Sequence, residues 1–557
     1  VLLRLLAAAA ALALVLPRPA GSQAGPAPAR PRLVLFVSVD QMRFDYLTRF
    51  APLYEAGLKR LLEGGAVFTS ARYRHANTET GPGHAVLLSG RHARETGIIA
   101  NDWYDRTARR VVNVVDDPKA VAVPGPGRGA SPANFDGETV GDLLKRASRA
   151  SRVVGVSLKD RAAILMAGRR ADAAYWYEPA CGCFGTSTYY ARRLPGWLAA
   201  WNAEKPVDRL DGKAWERLLR DAAVYRSVAG EDDVKGEWDG VNTTFPHAIR
   251  GRAGSRLFYD DVRRTPFADE LTLEVALLAL REHALGSDAA PDLLAVSFSA
   301  TDVIGHTYGP DSQEIMDQLL RLDRVLGRLL DAAEERAGRD GLLVGLSADH
   351  GVMPLVEVLK TRGIEARRVH PDQLELAVRQ ALATRFGAQD LIAHYEAPHF
   401  YLDYDVLQRR NLPRAEVEAE IERAMLATGL VERVYTQARL LGAAPADDPY
   451  FALVRNSYFR TRSPDLIGVP QPHLHLDRYP GGTSHGTPHD YDRHVPVAFL
   501  GPQFRPGRYD DACGPEDIAP TLAAVLGLDY RLRDEQRVLR EMLSEGAGAS
   551  GGRQPAR

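Results

Sequence analysis

Three features of the chain call for an α/β architecture, a mostly parallel central sheet covered by helices on both faces. Short apolar runs of strand length recur, rich in β-branched residues and bounded by charge: Leu33–Val39, Arg152–Leu158, Asp292–Phe298 and Leu342–Leu346. Such uninterrupted runs suit strands buried on both faces. Helical patterns alternate with them, and strand–helix alternation builds parallel sheets through right-handed crossovers. Finally, several of these strands end in Asp or Lys, and open α/β sheets place their sites at the carboxyl ends of strands.

Taken in order, Leu33–Val39 is the first strand and ends at Asp40. Helical patterning around Tyr54–Leu62 stops at Gly64-Gly65. Thr80 then stands before Gly81-Pro82-Gly83, a triplet expected to interrupt regular structure, with a helix-like run over Ala85–Leu88. Val123–Pro132 reads as a loop, Glu138–Ala147 as a helix and Arg152–Leu158 as a strand ending in Lys159-Asp160-Arg161. From Tyr175 to about Arg264 the alternation breaks down, and this stretch is expected to cap the core as an insertion outside the sheet. A helix over Phe267–Leu285, a strand over Asp292–Phe298 and a long amphipathic helix over Asp311–Ala337 resume the pattern. The strand Leu342–Leu346 precedes Asp349-His350-Gly351.

Residues 356–479 read as a second, small α+β insertion. It has a strand at His399–Leu402, a helix over Arg414–Thr428 and strands near Tyr450–Phe459. A strand over Val495–Leu500 and a helix over Asp517–Leu526 close the core, so the catalytic domain is expected to span residues 33–529. The tail from 530 to 557, Gly/Ala/Ser-rich from Glu545, is expected to be largely disordered.

The formal net charge is −2 over 557 residues, which argues against nucleic acid or an anionic membrane as a bulk electrostatic partner. Residues 1–24 read as a secretory signal peptide: Arg4, an apolar run from Leu5 to Leu16, and small residues up to Ala24. That run is short for a membrane span, and an uncleaved membrane anchor is the rival reading. Residues 25–32 follow as a Pro/Ala linker, and a periplasmic or secreted protein, monomeric and with no stable membrane insertion, is expected. Three cysteines, Cys181, Cys183 and Cys513, are assigned structural or incidental roles.

The chemistry gathers around Thr80. Singly, an Asp after a strand caps a turn. Asp40, Asp302 and Asp349, however, would crowd one sheet edge, where a metal cluster supplies the counter-charge that buried carboxylates need. Asp302 and His306 are spaced i, i+4 and share a helical face. His350 follows Asp349 directly, and His485 lies among Gly and Ser, where a backbone can approach closely. Carboxylate and imidazole donors without thiolates suit two zinc ions at an open catalytic site. Such ions clamp the attacking and leaving oxygens of a displacement and turn a nearby hydroxyl into a nucleophile.

With these residues in view, the chain resembles the alkaline phosphatase superfamily, within it the phosphate-irrepressible, threonine-nucleophile bacterial enzymes. The resemblance rests on Val39-Asp40-Gln41-Met42-Arg43, Thr80-Gly81-Pro82-Gly83-His84, Asn101–Asp105, Lys159-Asp160-Arg161, Ser299–Asp302 with His306, Ala348–Gly351 and Thr483–Gly486. It implies one zinc held by Asp302, His306 and His485, and a second held by Asp40, Asp349 and His350 with Thr80 as its reactive ligand. It also implies that Asn101, Lys159 and Arg161 bind the phosphoryl oxygens, and that a phosphate monoester is hydrolysed through a phospho-threonine. Two cations beside an amide favour a dianionic monoester. The related nucleotide pyrophosphatases/phosphodiesterases remain the alternative. His473 and His475 read as members of a half-buried strand, His489 and His494 as surface or packing residues, and His75 and His84 as hydrogen-bonding neighbours of the nucleophile turn.

Overall fold

The computed structural model describes residues 30–125, 127–237, 242–533 and 535–547. The expected signal peptide, most of the linker and the last ten residues lie outside the described residues.

Ten strands form the central sheet: β1 Leu33–Val39, β2 Ala66–Phe68, β3 Ala122–Val123, β4 Val153–Ser157, β5 Ala173–Glu178, β6 Cys183–Ser187, β7 Asp292–Phe298, β8 Leu342–Ser347, β9 Val497–Leu500 and β10 Gly507–Tyr509. Their spatial order is β10-β2-β9-β8-β1-β7-β4-β5-β6-β3. The middle five, β8-β1-β7-β4-β5, are parallel, and β9 and β6 flank them antiparallel. The apolar runs behave as their composition demands: every residue of β1, β4, β7 and β8 is buried.

Alternation along β1 divides two cores. Leu33, Leu35, Val37 and Val39 pack with helices α1 Gly57–Gly64, α5 Phe267–Glu282 and α7 Gln313–Ala337. Val34 and Phe36 face α2 Thr80–Ser89, α3 Val140–Ala147, α4 Asp160–Ala167 and α8 Ile518–Leu526. A further helix, α6, spans Ala300–Tyr308.

Several expectations need correction. Residues 173–187 are two strands of the central sheet, so the first insertion begins later, and Tyr175-Trp176-Tyr177 is buried strand. That insertion packs on α7 through Asp317, whose carboxylate accepts from Trp215 Nε1 at 2.7 Å and Leu218 N at 2.6 Å. Gly81-Pro82-Gly83 belongs to a regular helix, because the first-turn N–H groups have no helical acceptor and Pro forfeits nothing there. Phe451–Ser457 is a helix where strands were expected. The tail is ordered to residue 547 among the described residues, with Leu539 and Met542 fully buried and Leu543 bridging Phe504. Cys181 and Cys183 form a disulfide, and Cys513 is buried and free.

The second insertion is a four-stranded antiparallel sheet in the order Ile392–Glu396, His399–Leu402, Leu466–Pro470, Val431–Thr436. Helices Asp372–Phe386 and Arg414–Ala427 close its apolar face. Its residues His399 and Gly468 line a cavity together with Asn101, His306 and His485.

Candidate metal and phosphoryl site

The parallel register decides where the charged residues meet. Val39 pairs with Phe298, Ser38 with Ser347 and Ser297 with Ser157. Four adjacent strands therefore end at one level and release Asp349, Asp40, Asp302 and Lys159 side by side. Lys159 Nζ lies 2.7 Å from Asp40 Oδ2, 2.6 Å from Asp302 Oδ2 and 3.3 Å from Thr80 Oγ1. Gln41, in the left-handed region at φ 65°, donates its backbone N–H to Asp349 Oδ1 at 3.1 Å and its side-chain amide to Asp302 Oδ1 at 2.9 Å.

Two groups of potential ligand atoms result, Asp40 with Asp349 and His350, and Asp302 with His350 and His485. His306 joins the second, its Nε2 lying 3.3 Å from Asp302 Oδ1. His350 and His485 stack with ring centroids 3.5 Å apart. Each imidazole is oriented by a carbonyl at its Nδ1: Thr483 for His306 at 2.7 Å, Thr78 for His485 at 2.8 Å and Gly351 for His350 at 2.9 Å. Nε2 of all three is thereby left as a lone-pair donor, the arrangement by which histidine ligands are held.

The charges do not balance internally. Three buried carboxylates share one ammonium, and Asp40 Oδ1 and His350 Nε2 are buried without a hydrogen bond. Burial and the neighbouring Asp302 and Asp349 push Asp40 well above the usual carboxylate range. Burial works the same way on Asp302, but Lys159 and His306 outweigh it and hold that group well below. Burial lowers His350 and His485, while Asp302 outweighs burial and raises His306. A donor set of three carboxylates and three imidazoles with excess negative charge fits divalent cations.

Thr80 is the first residue of α2, buried, with Glu79 as N-cap. Free N–H groups at a helix start favour an anion there. Asn101 is gripped from both sides of Thr80: its Oδ1 accepts from Gly81 N at 2.8 Å, and its N–H donates to Glu79 Oε2 at 2.7 Å. That leaves the Asn101 NH2 group as a donor. Arg161 sits in the first turn of α4 with its buried Nε unpartnered. His84 meets the Thr80 carbonyl at 2.9 Å, whereas neither ring nitrogen of His75 makes a hydrogen bond. Asp40, Thr80, Asn101, Lys159, Asp302, His306, Asp349, His350 and His485 thus meet at one end of the sheet, and Arg161 lies two residues beyond Lys159. Sequence reasoning missed Glu79 and Gln41, which fix the others by contacts visible only in three dimensions.

Residues 34–492 match the family model for type I phosphodiesterase/nucleotide pyrophosphatase. The chain belongs to that family. Among its relatives, alkaline phosphatase PafA of Elizabethkingia meningoseptica is 32% identical over 92% of this chain and 94% of its own length. Alkaline phosphatase PhoV of Synechococcus elongatus is 30% identical, covering 92% and 93%. The crystal structure of wild-type PafA superposes with a TM-score of 0.86 at 30% identity, covering 93% of this chain and all of that one. Within the family the chain stands with the alkaline phosphatases, enzymes acting on phosphoesters.

Proposed function

We propose that the protein is an exported, zinc-dependent phosphomonoesterase working through a phospho-threonine intermediate. One zinc would be held by Asp302, His306 and His485, and the other by Asp40, Asp349, His350 and Thr80. Bound there, the ions supply Lewis-acid charge that lowers the pKa of the Thr80 hydroxyl and neutralises phosphoryl and leaving oxygens. Thr80 Oγ1 gives up its proton and attacks phosphorus; its new P–O bond forms as the ester P–O bond breaks, and the departing alkoxide takes a proton from solvent and leaves as the alcohol. Asn101 donates its amide N–H, and Lys159 and Arg161 their cationic N–H groups, to the non-bridging oxygens. A water then displaces Thr80 from phosphorus, releasing inorganic phosphate and regenerating the hydroxyl.

The observation that carries the monoester reading is Lys159, 3.3 Å from the nucleophile, with Arg161 two residues on. Two cations and an amide match a dianion better than the single negative charge of a diester. A phosphodiesterase built on the same residues is the second reading, favoured by the description of the matching family. Export is supported by the signal-like start of the sequence. Among the described residues no helix is long and apolar enough to cross a membrane.

The test is steady-state kinetics on an aryl phosphate monoester and its methyl diester, with zinc determined on the same sample. Faster turnover of the diester would overturn the monoesterase assignment. Substitution Thr80→Ala that left turnover unchanged would overturn the nucleophile.

A further inference from the structure

A cavity of about 590 Å³ opens beside the site, running from Asn101, His306 and His485 to the second insertion. Two histidines of that insertion, His399 and His475, line it and serve neither metal group. His399 begins a strand and is half-buried, and His475 is only 3% exposed, in the strand Leu474–Leu476.

Their hydrogen bonds fix their protons. His475 Nδ1 lies 3.1 Å from Arg368 Nη1, and a guanidinium only donates. His399 Nδ1 lies 3.2 Å from the backbone N–H of Gly468, another group that only donates. Both Nδ1 atoms therefore accept, and both rings carry their hydrogen on Nε2. Arg368 is itself anchored by Glu357, at 2.9 Å and 2.7 Å, so the tautomer of His475 is locked from behind. Among the described residues neither Nε2 meets a protein acceptor, and neither is among the sealed, unpartnered atoms. The two N–H groups open to the cavity. Burial pushes both imidazoles down to about 4, which keeps them neutral at pH 7 and above. Glu396 also lines the cavity, and its partner His394 holds it below its usual range and keeps it an acceptor.

We propose that His399 and His475 are specificity-determining residues that hydrogen-bond the leaving group, selecting monoesters of polyhydroxylated alcohols such as sugars and polyols. Neutral donors beside a carboxylate acceptor complement hydroxyl groups, which both accept and donate. An alkyl or aryl leaving group of equal size would leave those N–H groups unmet, and a site built to bond a hydroxyl rejects the analogue lacking it. The proposal rests on the phosphomonoesterase reading and adds the identity of the alcohol.

The experiment compares kcat/KM for glucose 6-phosphate and cyclohexylmethyl phosphate, a pair matched in bulk at the reacting end. Both are measured on the zinc-loaded protein and on His399→Phe, His475→Phe and His475→Gln, with thermal midpoint and zinc content recorded for each. A neutral hydrogen bond of ordinary strength predicts that each Phe variant loses about 10-fold on the sugar phosphate and less than about 2-fold on the apolar ester. The Gln variant, which keeps an N–H donor, should recover most of the loss. Equal losses on both esters would mark the histidines as scaffold and overturn the proposal, as would no loss on either. Where a Phe variant fails to fold, Arg368→Met supplies the same test by freeing the His475 tautomer. If the unaltered protein turned over neither monoester, the phosphomonoesterase reading itself would have failed, a result distinct from equal losses in the variants.

Discussion

Gly83 lies one turn along α2 from Thr80, where the helix rests directly on the backbone of Asp349. A Cβ added there would stand 2.7 Å from Asp349 Cβ and 2.8 Å from its carbonyl carbon, and closer still to its carbonyl oxygen. Carbon atoms in comfortable contact sit about 3.5–4.0 Å apart. Gly83→Ala therefore requires the helix and the Asp349 loop to separate by roughly 1 Å. Neither side can yield by turning a flexible side chain, because the obstacle is backbone. Overpacking of this kind costs about 1–3 kcal/mol. Displacing a nucleophile by 1 Å costs about 10²-fold in rate. The expected outcome is a folded protein with a slightly lowered thermal midpoint and kcat/KM on phenyl phosphate reduced about 100-fold. Gly83→Ala with activity within about 3-fold of the parent would refute the claim that this contact sets the distance between the hydroxyl and the carboxylates.

Three further outcomes are expected. Removing metal with a chelator should abolish activity and lower the thermal midpoint, since Asp40, Asp302 and Asp349 would keep only Lys159 and neighbouring imidazoles against three negative charges; readdition of zinc should restore both, and an unaltered midpoint would contradict the cation requirement. Glu516 is fully buried and pushed up to about 8, chiefly by burial, with Arg74 opposing. The folded state thus binds that proton more tightly than the unfolded chain, so its contribution to stability is present below about pH 4.5 and lost as pH rises through about 8. Urea titrations across this range should show a decline that Glu516→Gln flattens, and an identical slope in both proteins would exclude Glu516 as its source. Asp317→Ala should cost about 3 kcal/mol by stranding Trp215 Nε1 and Leu218 N. It should leave kcat/KM near the parent value, and a loss below about 1 kcal/mol in urea unfolding would show that the first insertion is held by something else.

Much of the core was legible because burial on both faces writes itself into composition. Leu33–Val39, Asp292–Phe298 and Leu342–Ser347 are apolar over nearly their whole lengths, and each ends at a charged or polar turn. The candidate site residues stood out by position, each lying just past a recognisable strand or within a motif quoted for the family resemblance. Strand direction was not legible: β9 lies antiparallel to β8, a matter of chain path that no local pattern encodes. Residues 173–187 escaped because Glu178-Pro179-Ala180-Cys181-Gly182 looks like irregular chain, whereas it is the tight connection of an antiparallel pair. Phe451–Ser457 was misread because its aromatic and β-branched residues favour strands, and packing against Ala76 and Tyr435 overrides that preference. His399 and His475 look like ordinary strand residues until Gly468 and Arg368 are seen to hold them.

The lateral spacing of the three carboxylates is inherited from the hydrogen-bonded ladder of the sheet, about 4.8 Å from one strand to the next, before any side chain is chosen. The carboxylates and the second insertion that lines the cavity beside them consequently belong to different sheets. Residues 356–479 could be exchanged or lengthened to recruit new esters while the spacing beneath them stayed put, a chassis that permits selectivity to drift without loss of the underlying chemistry.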